Sequence, residues 1–282
     1  MTPIDRRRTL RTGAGAALAA LALGCTGPAP APERTPRART APERTPGARQ
    51  PSAPSVPSGT PGTPGTPGRG AAPAAPAARR FPGHPAQIVH GPRDRDRVAL
   101  TFHGGGDPAT ARAVLAEAER AGARITVLAV GEWLDDHPAL ARRILDGGHD
   151  LGNHTQHHRT ITELPEAEAA AEITACAQRL RRLTGSIGTW FRPSRTRLAT
   201  PALIRLAQRA GYPHTLAYDL DSLDFTSPGA TAVTRTVTGQ IRRGSVVSLH
   251  FGYADTVAAL PALLDDLHRR GLRAVTTTEL LS

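Results

Sequence analysis

Strand-like and helix-like runs alternate from about residue 98 to about residue 275, and this alternation limits the fold more than any other feature. The predicted strands are 98–102, 125–130, 149–153, 190–192, 214–218, 245–249 and 272–275, and the predicted helices are 108–121, 138–145, 166–183, 201–210, 231–242 and 255–270. About seven β-then-α units imply parallel strands joined by right-handed crossovers. We therefore expect an α/β fold, a distorted (β/α)7-type barrel rather than an open doubly wound sheet. No GxGxxG motif or P-loop follows any strand, which excludes the common nucleotide-binding domains.

Residues 1–25 have the pattern of an export signal. Asp5–Arg11 is basic, and it precedes an apolar run from Ala14 to Leu23 that is too short to span a bilayer. The paired arginines are similar to a twin-arginine signal, and the run ends at Gly24-Cys25, which resembles a bacterial lipobox. We expect a lipid on Cys25 that anchors the chain in the cell envelope, on the outer face of the cytoplasmic membrane. A soluble secreted product is the alternative, since Leu23 stands where a lipobox has a small residue.

Residues 26–85 are rich in proline, alanine, threonine, glycine and arginine and hold almost no large apolar side chains. The stretch Ala31–Pro36 recurs as Ala41–Pro46. Such a segment buries too little surface to offset the entropy of ordering it, so we predict a disordered linker. Residues 86–282 remain for one folded catalytic domain with its own core.

The positive charge of the chain is concentrated before this domain. Of the formal net charge of +11, residues 1–85 carry +9, from 12 arginines and 3 acidic residues, which leaves +2 for the rest. A nucleic-acid-binding domain concentrates basic residues on itself, so no nucleic-acid partner is expected. Only two cysteines are present, which excludes a disulfide framework. We expect a monomer whose one membrane contact is the lipid anchor.

Reactive side chains follow the predicted strands at the points where these strands end. His103 follows the first strand, His154 and His158 the third, and others follow later strands: Arg192, Asp221, Asp224 and His250. The carboxyl ends of barrel strands form one face, where such folds build their active sites. His154 and His158 are four residues apart, a spacing that lets two imidazoles bind one zinc ion.

Three stretches resemble those of one family: Ala99–Phe102, Gly148–Thr155 and Asp221–Phe225. They are similar to polysaccharide deacetylases, the NodB-homology domain of carbohydrate esterase family four. The resemblance implies a distorted (β/α) barrel that removes acetyl groups from peptidoglycan, chitin or related glycans. It also implies a divalent metal, usually zinc.

The resemblance assigns roles to individual residues. It implies that His154 and His158 bind the metal and that Arg192 positions the catalytic base. His250 matches the general acid, which Asp224 orients and tunes. Phe225 stands where the family has a tryptophan that walls the acetyl pocket.

The first motif departs from the family. The family has two aspartates, a base and a metal ligand, where this chain has His103 and Gly104. In one interpretation His103 is a third imidazole ligand, and Asp107 or Asp221 serves as the base. In the other, the domain has kept a glycan groove and lost its chemistry. We favour the first, because Arg192, Asp224 and His250 are all present.

The sequence therefore predicts an exported, metal-dependent hydrolase that acts on N-acetylated amino sugars of a cell-wall or related glycan. A non-catalytic glycan-binding protein on the same fold is the main alternative. An esterase for O-acetyl groups, with the same site and another leaving group, is the third.

Overall fold

The computed structural model describes residues 75–282. The predicted export signal with Cys25, and the linker as far as residue 74, lie outside the described residues. The strands are β1 Gln87–Ile88, β2 Arg97–Gly104, β3 Thr126–Ala129, β4 Asp150–Asn153, β5 Thr215–Leu216, β6 Leu220–Asp221, β7 Val246–His250 and β8 Arg273–Ala274. The helices are α1 Pro108–Arg120, α2 Gly131–Asp136, α3 Pro138–Asp146, α4 Glu166–Thr184, α5 Pro201–Arg209, α6 Ala230–Thr238, α7 Ala254–Arg269 and α8 Thr277–Leu280.

Every pair of strands among the described residues is parallel, as the alternation of strands and helices predicts. The larger sheet has the order β4-β3-β2-β7-β6, and β8 pairs with the first residues of β2. The pair β1 and β5 is joined to β4 only through Phe191, which bridges Asn153 and Thr215. At this point a single residue, rather than a strand, connects the two sheets. The architecture is the distorted parallel α/β barrel that was expected.

The core lies between the sheet and the helices that cover it. Strand β2 is central and almost fully buried, and its alternate residues Val98, Leu100 and Phe102 belong to the main apolar cluster. Helices α1 and α7 pack on one another across this cluster. Helix α1 begins where the Asp107 side chain accepts a hydrogen bond from the Ala109 N–H, with Pro108 in the first turn. This burial on both faces fixes the positions at which the strands end.

Several elements differ from the sequence prediction, which did not include β1, β6 or α8. The strand expected at 190–192 is reduced to the one bridging residue Phe191, because Pro193 follows it and has no N–H to extend a ladder. Helix α2 was not predicted, since six residues are too few to establish a helical period. Helix α6 ends at Thr238 rather than at residue 242, and Gly239 caps it.

The end of the predicted linker is packed against the domain. The Phe81 side chain is buried and stacks on Trp190, with ring centroids 5.2 Å apart. His214 holds this segment at two points: its Nε2 accepts a hydrogen bond from the Phe81 N–H at 2.9 Å, and its Nδ1 donates to the Pro85 carbonyl at 2.7 Å. The folded unit therefore begins before residue 86, because Phe81 has an apolar surface to bury. Within residues 75–282, no helix has the length and apolar character to cross a membrane.

Candidate active site

Six of the predicted site residues meet at the carboxyl ends of the strands: His103, His154, His158, Arg192, Asp224 and His250. His103 of β2 and His250 of β7 are in register on neighbouring strands, so their side chains point to the same side of the sheet. A cavity of about 470 Å³ opens above them. It is lined by His103, Gly104, Gly105, Gly106, Val130, Glu132, Trp133, Asp136, His158, His250, Gly252 and Tyr253.

Four of the predicted site residues form one continuous chain of hydrogen bonds. Arg192 Nη1 lies 3.2 Å from His103 Nε2, and His103 Nδ1 lies 2.9 Å from His250 Nε2. His250 Nδ1 then lies 2.7 Å from Asp224 Oδ1. Arginine can only donate and an ionised aspartate can only accept, so the two ends fix the tautomers between them. His103 carries its proton on Nδ1, and His250 carries its proton on Nδ1 and presents Nε2 as an acceptor.

Asp224 is a fully buried carboxylate whose bonds all serve this arrangement. Besides the imidazole, its Oδ2 accepts from the His250 N–H at 2.8 Å and from the Thr256 hydroxyl at 2.6 Å. Its position follows from a short 3-10 helix that begins at Asp224, directly after β6. The carboxylate therefore holds both the backbone and the ring of His250.

Arg192 is buried, and backbone carbonyl groups hold it. Its Nε donates to the Leu216 carbonyl and its Nη2 to the Ala217 carbonyl, each at 3.1 Å. Burial lowers the pKa of Arg192 to about 10, so the guanidinium still carries its charge at neutral pH. The third direction of the guanidinium points to His103. Arg192 thus positions the residue that stands at the family's base position.

His154 and His158 lie beside His103 on a tight turn after β4. The ring of His154 stacks on that of His103, with centroids 4.2 Å apart. The centroid of the His158 ring lies 4.9 Å from that of His154. Thr155 and His158 have φ values of 70° and 53°, a strained conformation for residues with side chains. The Asn153 carboxamide supports the turn by accepting from the Thr155 N–H at 2.8 Å. Strain of this kind is typical of functional sites.

Burial keeps these imidazoles neutral. It lowers the pKa of His103 and of His154 well below the usual value, and the charge of neighbouring histidines adds to the effect. The pKa of His158 is lowered as well, first by burial and then by Arg195. Neutral imidazoles are the form that binds metals and the form that acts as a base.

The donor set fits a metal through two histidines and not through the three that were predicted. His154 donates from Nδ1 to the Arg192 carbonyl at 3.0 Å, and its buried Nε2 has no partner among the described residues. His158 is the neighbouring donor. His103 differs from the prediction, because Arg192 and His250 occupy both of its ring nitrogens. Across residues 75–282, no group of three or more histidine, cysteine or acidic residues has an arrangement that could hold a metal ion.

The two candidate bases lie outside the cavity. Asp107 is exposed and caps helix α1. Asp221 accepts from the Leu223 N–H at 3.1 Å and from the Tyr218 hydroxyl at 3.2 Å, and it does not line the cavity. Phe225 lies beside His250, with ring centroids 5.6 Å apart, and 44% of its surface is exposed. It can therefore form a wall next to the imidazole.

Sequence reasoning missed one wall of the cavity. Helix α2 contributes Glu132, Trp133 and Asp136, and the Trp133 Nε1 donates to the Gly106 carbonyl at 2.8 Å. Tyr253, just before α7, closes the other side and lies 5.8 Å from the His250 ring. Glu132 and Trp133 come shortly after the end of β3, and this position could have indicated that they lie near the site. The short helix α2 that carries them was not predicted.

The fold and the site together define a class of protein. A parallel α/β barrel carries a histidine cluster and a histidine–aspartate pair at the carboxyl ends of its strands, which is an arrangement suited to general acid–base catalysis. Residues 90–215 match the polysaccharide deacetylase family. This match, together with relatives and solved structures named as peptidoglycan N-acetylglucosamine deacetylases, supports a domain of the NodB-homology kind.

Named relatives carry deacetylase activities. A peptidoglycan-N-acetylglucosamine deacetylase of Bacillus cereus is 29% identical over 194 residues, which cover 67% of this chain and 90% of the relative. A chitooligosaccharide deacetylase of Bradyrhizobium sp. is 29% identical over 197 residues, which cover 62% of this chain and 85% of the relative.

Solved structures of such proteins share the fold. A peptidoglycan N-acetylglucosamine deacetylase with a bound hydroxamate-type ligand superposes with a TM-score of 0.65 and 26% identity, over 69% of this chain and 92% of that one. A Bacillus anthracis pseudoenzyme of carbohydrate esterase family four gives a TM-score of 0.65 at 22% identity, over 71% of this chain and 70% of that one. The second comparison bears on the fold alone.

Proposed function

We propose that this chain is an exported hydrolase that removes acetyl groups from N-acetylated amino sugars of a cell-wall glycan. The observation that carries the proposal is the buried Asp224 joined to His250 at 2.7 Å on the wall of the cavity. Such a pair orients the imidazole for proton transfer to or from a bound substrate. The relatives named as deacetylases of peptidoglycan and of chitooligosaccharides support the choice of substrate class.

His250 performs both proton transfers in this proposal. Its Nε2 is an acceptor, and neither Asp107 nor Asp221 lines the cavity. His250 therefore takes a proton from the attacking water and returns it to the leaving nitrogen. Asp224 stabilises the imidazolium that exists between the two transfers.

A divalent metal, for which zinc is the first choice, would be held by His154 and His158. When bound, it would supply a Lewis acid for the acetyl carbonyl. The buried, unpartnered Nε2 of His154 supports this part of the proposal. Metal analysis of residues 75–282, purified with and without a chelator, tests it independently of turnover.

Acetate release tests the activity. Residues 75–282 are incubated with peptidoglycan and, separately, with N-acetylated chito-oligosaccharides, and acetate and free amines are measured together. Equal amounts of the two products support an N-deacetylase. Acetate without new amines on an O-acetylated glycan would instead identify an O-acetyl esterase.

A non-catalytic glycan-binding protein is the second candidate. The observation that favours it is the first motif, where His103 has both ring nitrogens engaged and Gly104 offers no ligand. Binding of the same oligosaccharides without release of acetate, at high protein concentration and with zinc added, would select this candidate.

We also propose that Cys25 carries a lipid that holds the protein on the outer face of the cytoplasmic membrane. The support is the Gly24-Cys25 junction after an apolar run. The proline-rich segment behind it would let the domain reach into the wall, since such segments are extended.

A further inference from the structure

His103 is held as a fixed hydrogen-bond donor that faces the cavity. Arg192 donates to its Nε2, which leaves the proton of His103 on Nδ1. The guanidinium cannot easily turn away, because two backbone carbonyls hold its other nitrogens. In the present structure, the Nδ1–H points to His250 Nε2 at 2.9 Å. A donor and an acceptor thus lie side by side at the floor of the cavity.

We propose that the Nδ1–H of His103 donates a hydrogen bond to the acetyl carbonyl oxygen and stabilises the negative charge that forms on it. The inference rests on the proposed function and adds a catalytic residue to it. A neutral imidazole is an effective electrophile when a neighbouring group fixes its tautomer. Arg192 provides that fixation here.

The hydrogen bond between His103 Nδ1–H and His250 Nε2 can be replaced by two others, one to the substrate carbonyl and one to the attacking water. The carbonyl oxygen can only accept, so it replaces His250 as the partner of His103 Nδ1–H. The attacking water can donate, so it replaces His103 as the partner of His250 Nε2. Both groups lose one hydrogen bond and regain one, so no buried polar atom is left unsatisfied.

The steps balance. The water oxygen forms a bond to the acetyl carbon, its proton passes to His250 Nε2, and the carbonyl oxygen becomes negative beside His103 Nδ1–H. The carbon–nitrogen bond then breaks, and His250 returns the proton to the nitrogen. The products are acetate and a free amino sugar, and His103 keeps its own proton throughout.

Among residues 103–107, only His103 presents a side chain to the cavity, because residues 104–106 are glycines and Asp107 does not line it. A Cβ at Gly104 would lie 2.9 Å from Val127 Cγ1 and 3.0 Å from Ala129 Cα, so the neighbouring wall leaves little room for a side chain there. A Cβ at Gly106 would lie 2.6 Å from Gly252 Cα. His103 is therefore the side chain at the end of β2 that can reach a substrate.

A matched pair of substitutions tests the donor. His103→Gln keeps one donor and one acceptor, whereas His103→Glu has the same shape and, when ionised, only acceptors. We expect kcat/KM for an N-acetylated oligosaccharide to fall about tenfold in His103→Gln and about 100-fold to 1,000-fold in His103→Glu, the range for losing an oxyanion donor. His157→Gln is the control, because His157 pairs with Glu172 and does not line the cavity. Equal loss in both His103 variants, or higher activity in His103→Glu, would overturn the proposal.

A second measurement separates this inference from the proposed function. Nitrogen NMR of the histidine side chains in the chelator-treated protein reports which ring nitrogen carries the proton, and it does not depend on turnover. We expect His103 to be protonated on Nδ1 only, and its Nδ1–H signal to shift when an N-acetylated oligosaccharide binds. Protonation on Nε2, or an unchanged signal in the bound protein, contradicts the inference even if acetate is released. If acetate is not released, a shift in the bound protein still supports the contact with the acetyl group.

Discussion

At the scale of single residues, the site depends on groups that can only donate or only accept. Arg192 and Asp224 stand at the two ends of the chain through His103 and His250, and they determine where each proton lies. Once the distances are known, the residue types determine which atom donates in each hydrogen bond. A single substitution therefore changes a defined hydrogen bond, and its effect on activity or stability can be predicted.

The first prediction concerns Asp224. Three donors face the Asp224 carboxylate: the His250 N–H, the His250 Nδ1–H and the Thr256 hydroxyl. In Asp224→Asn, at least one of them faces an N–H group instead of an oxygen. We expect kcat to fall about 100-fold or more, because the imidazole loses its orientation, and stability to fall by about 1–3 kcal/mol. Kinetics and urea unfolding measure the two effects. Thr256→Val, which removes one donor and leaves the imidazole bond, is the control and should lose stability with little loss of kcat. Unchanged turnover in Asp224→Asn would contradict the role of the pair.

The second prediction concerns pH. The pKa values of His103 and His154 are lowered in the folded protein, while the unfolded chain titrates near the usual value of about 6.5. Below that value the unfolded state binds more protons, so stability falls as pH falls. With a chelator present, we expect a lower free energy of unfolding at about pH 5 than at about pH 7.5. In His154→Gln the difference should shrink. The same difference in parent and variant would show that buried His154 does not contribute.

The sequence predicted most of the residues that meet, but not how they pair. Position at the carboxyl ends of parallel strands was enough to bring together His103, His154, His158, Arg192 and His250. Asp107 and Asp221, the predicted bases, lie outside the cavity. The bonding partners depend on distances of a fraction of an ångström between side chains of different strands. For this reason His103 was expected as a metal ligand, whereas the structure joins it to Arg192 and His250.

At the scale of elements, every helix of nine or more of the described residues was predicted, whereas α2, α8, β1 and β6 were not. Helices α1, α4 and α7 agree with the sequence prediction within two residues at each end, because each has several turns of apolar periodicity. Helix α2 and the bridge at Phe191 are set by tertiary contacts rather than by local pattern. The cavity wall that includes Trp133 was missed for that reason.

The third prediction concerns the segment before β1. Phe81 is 6% exposed and stacks on Trp190, so Phe81→Ala should reduce stability by about 3 kcal/mol. A chain that begins at residue 86 should lose at least as much. Arg79→Ala is the control, because it removes an exposed cation–π contact at 4.8 Å, worth about 0.5–1 kcal/mol, and an exposed hydrogen bond to the Ser282 hydroxyl. Urea unfolding provides the measurement. Equal stability with and without residues 75–85 would show that the predicted boundary at residue 86 was correct.

At the scale of the whole molecule, charge and chemistry lie in different parts of the chain. Residues 1–85 carry +9 of the net charge of +11, and the site residues lie between His103 and His250.

The fourth prediction concerns Cys25, which lies within residues 1–85. Cys25→Ser should appear in the culture medium, while the parent stays with the membrane fraction. Fractionation followed by immunoblotting measures this, and equal release of both proteins would remove the lipid anchor from the account.

The central claim is that His250, held by Asp224, transfers the proton in deacetylation. Its most direct test is acetate release from an N-acetylated chito-oligosaccharide by the parent and by His250→Ala, with bound metal measured in the same samples. We predict turnover by the parent, a loss of about 100-fold or more in the variant, and the same metal content in both, because His250 ends β7 whereas His154 and His158 follow β4. Turnover by His250→Ala at the parental rate would contradict the claim.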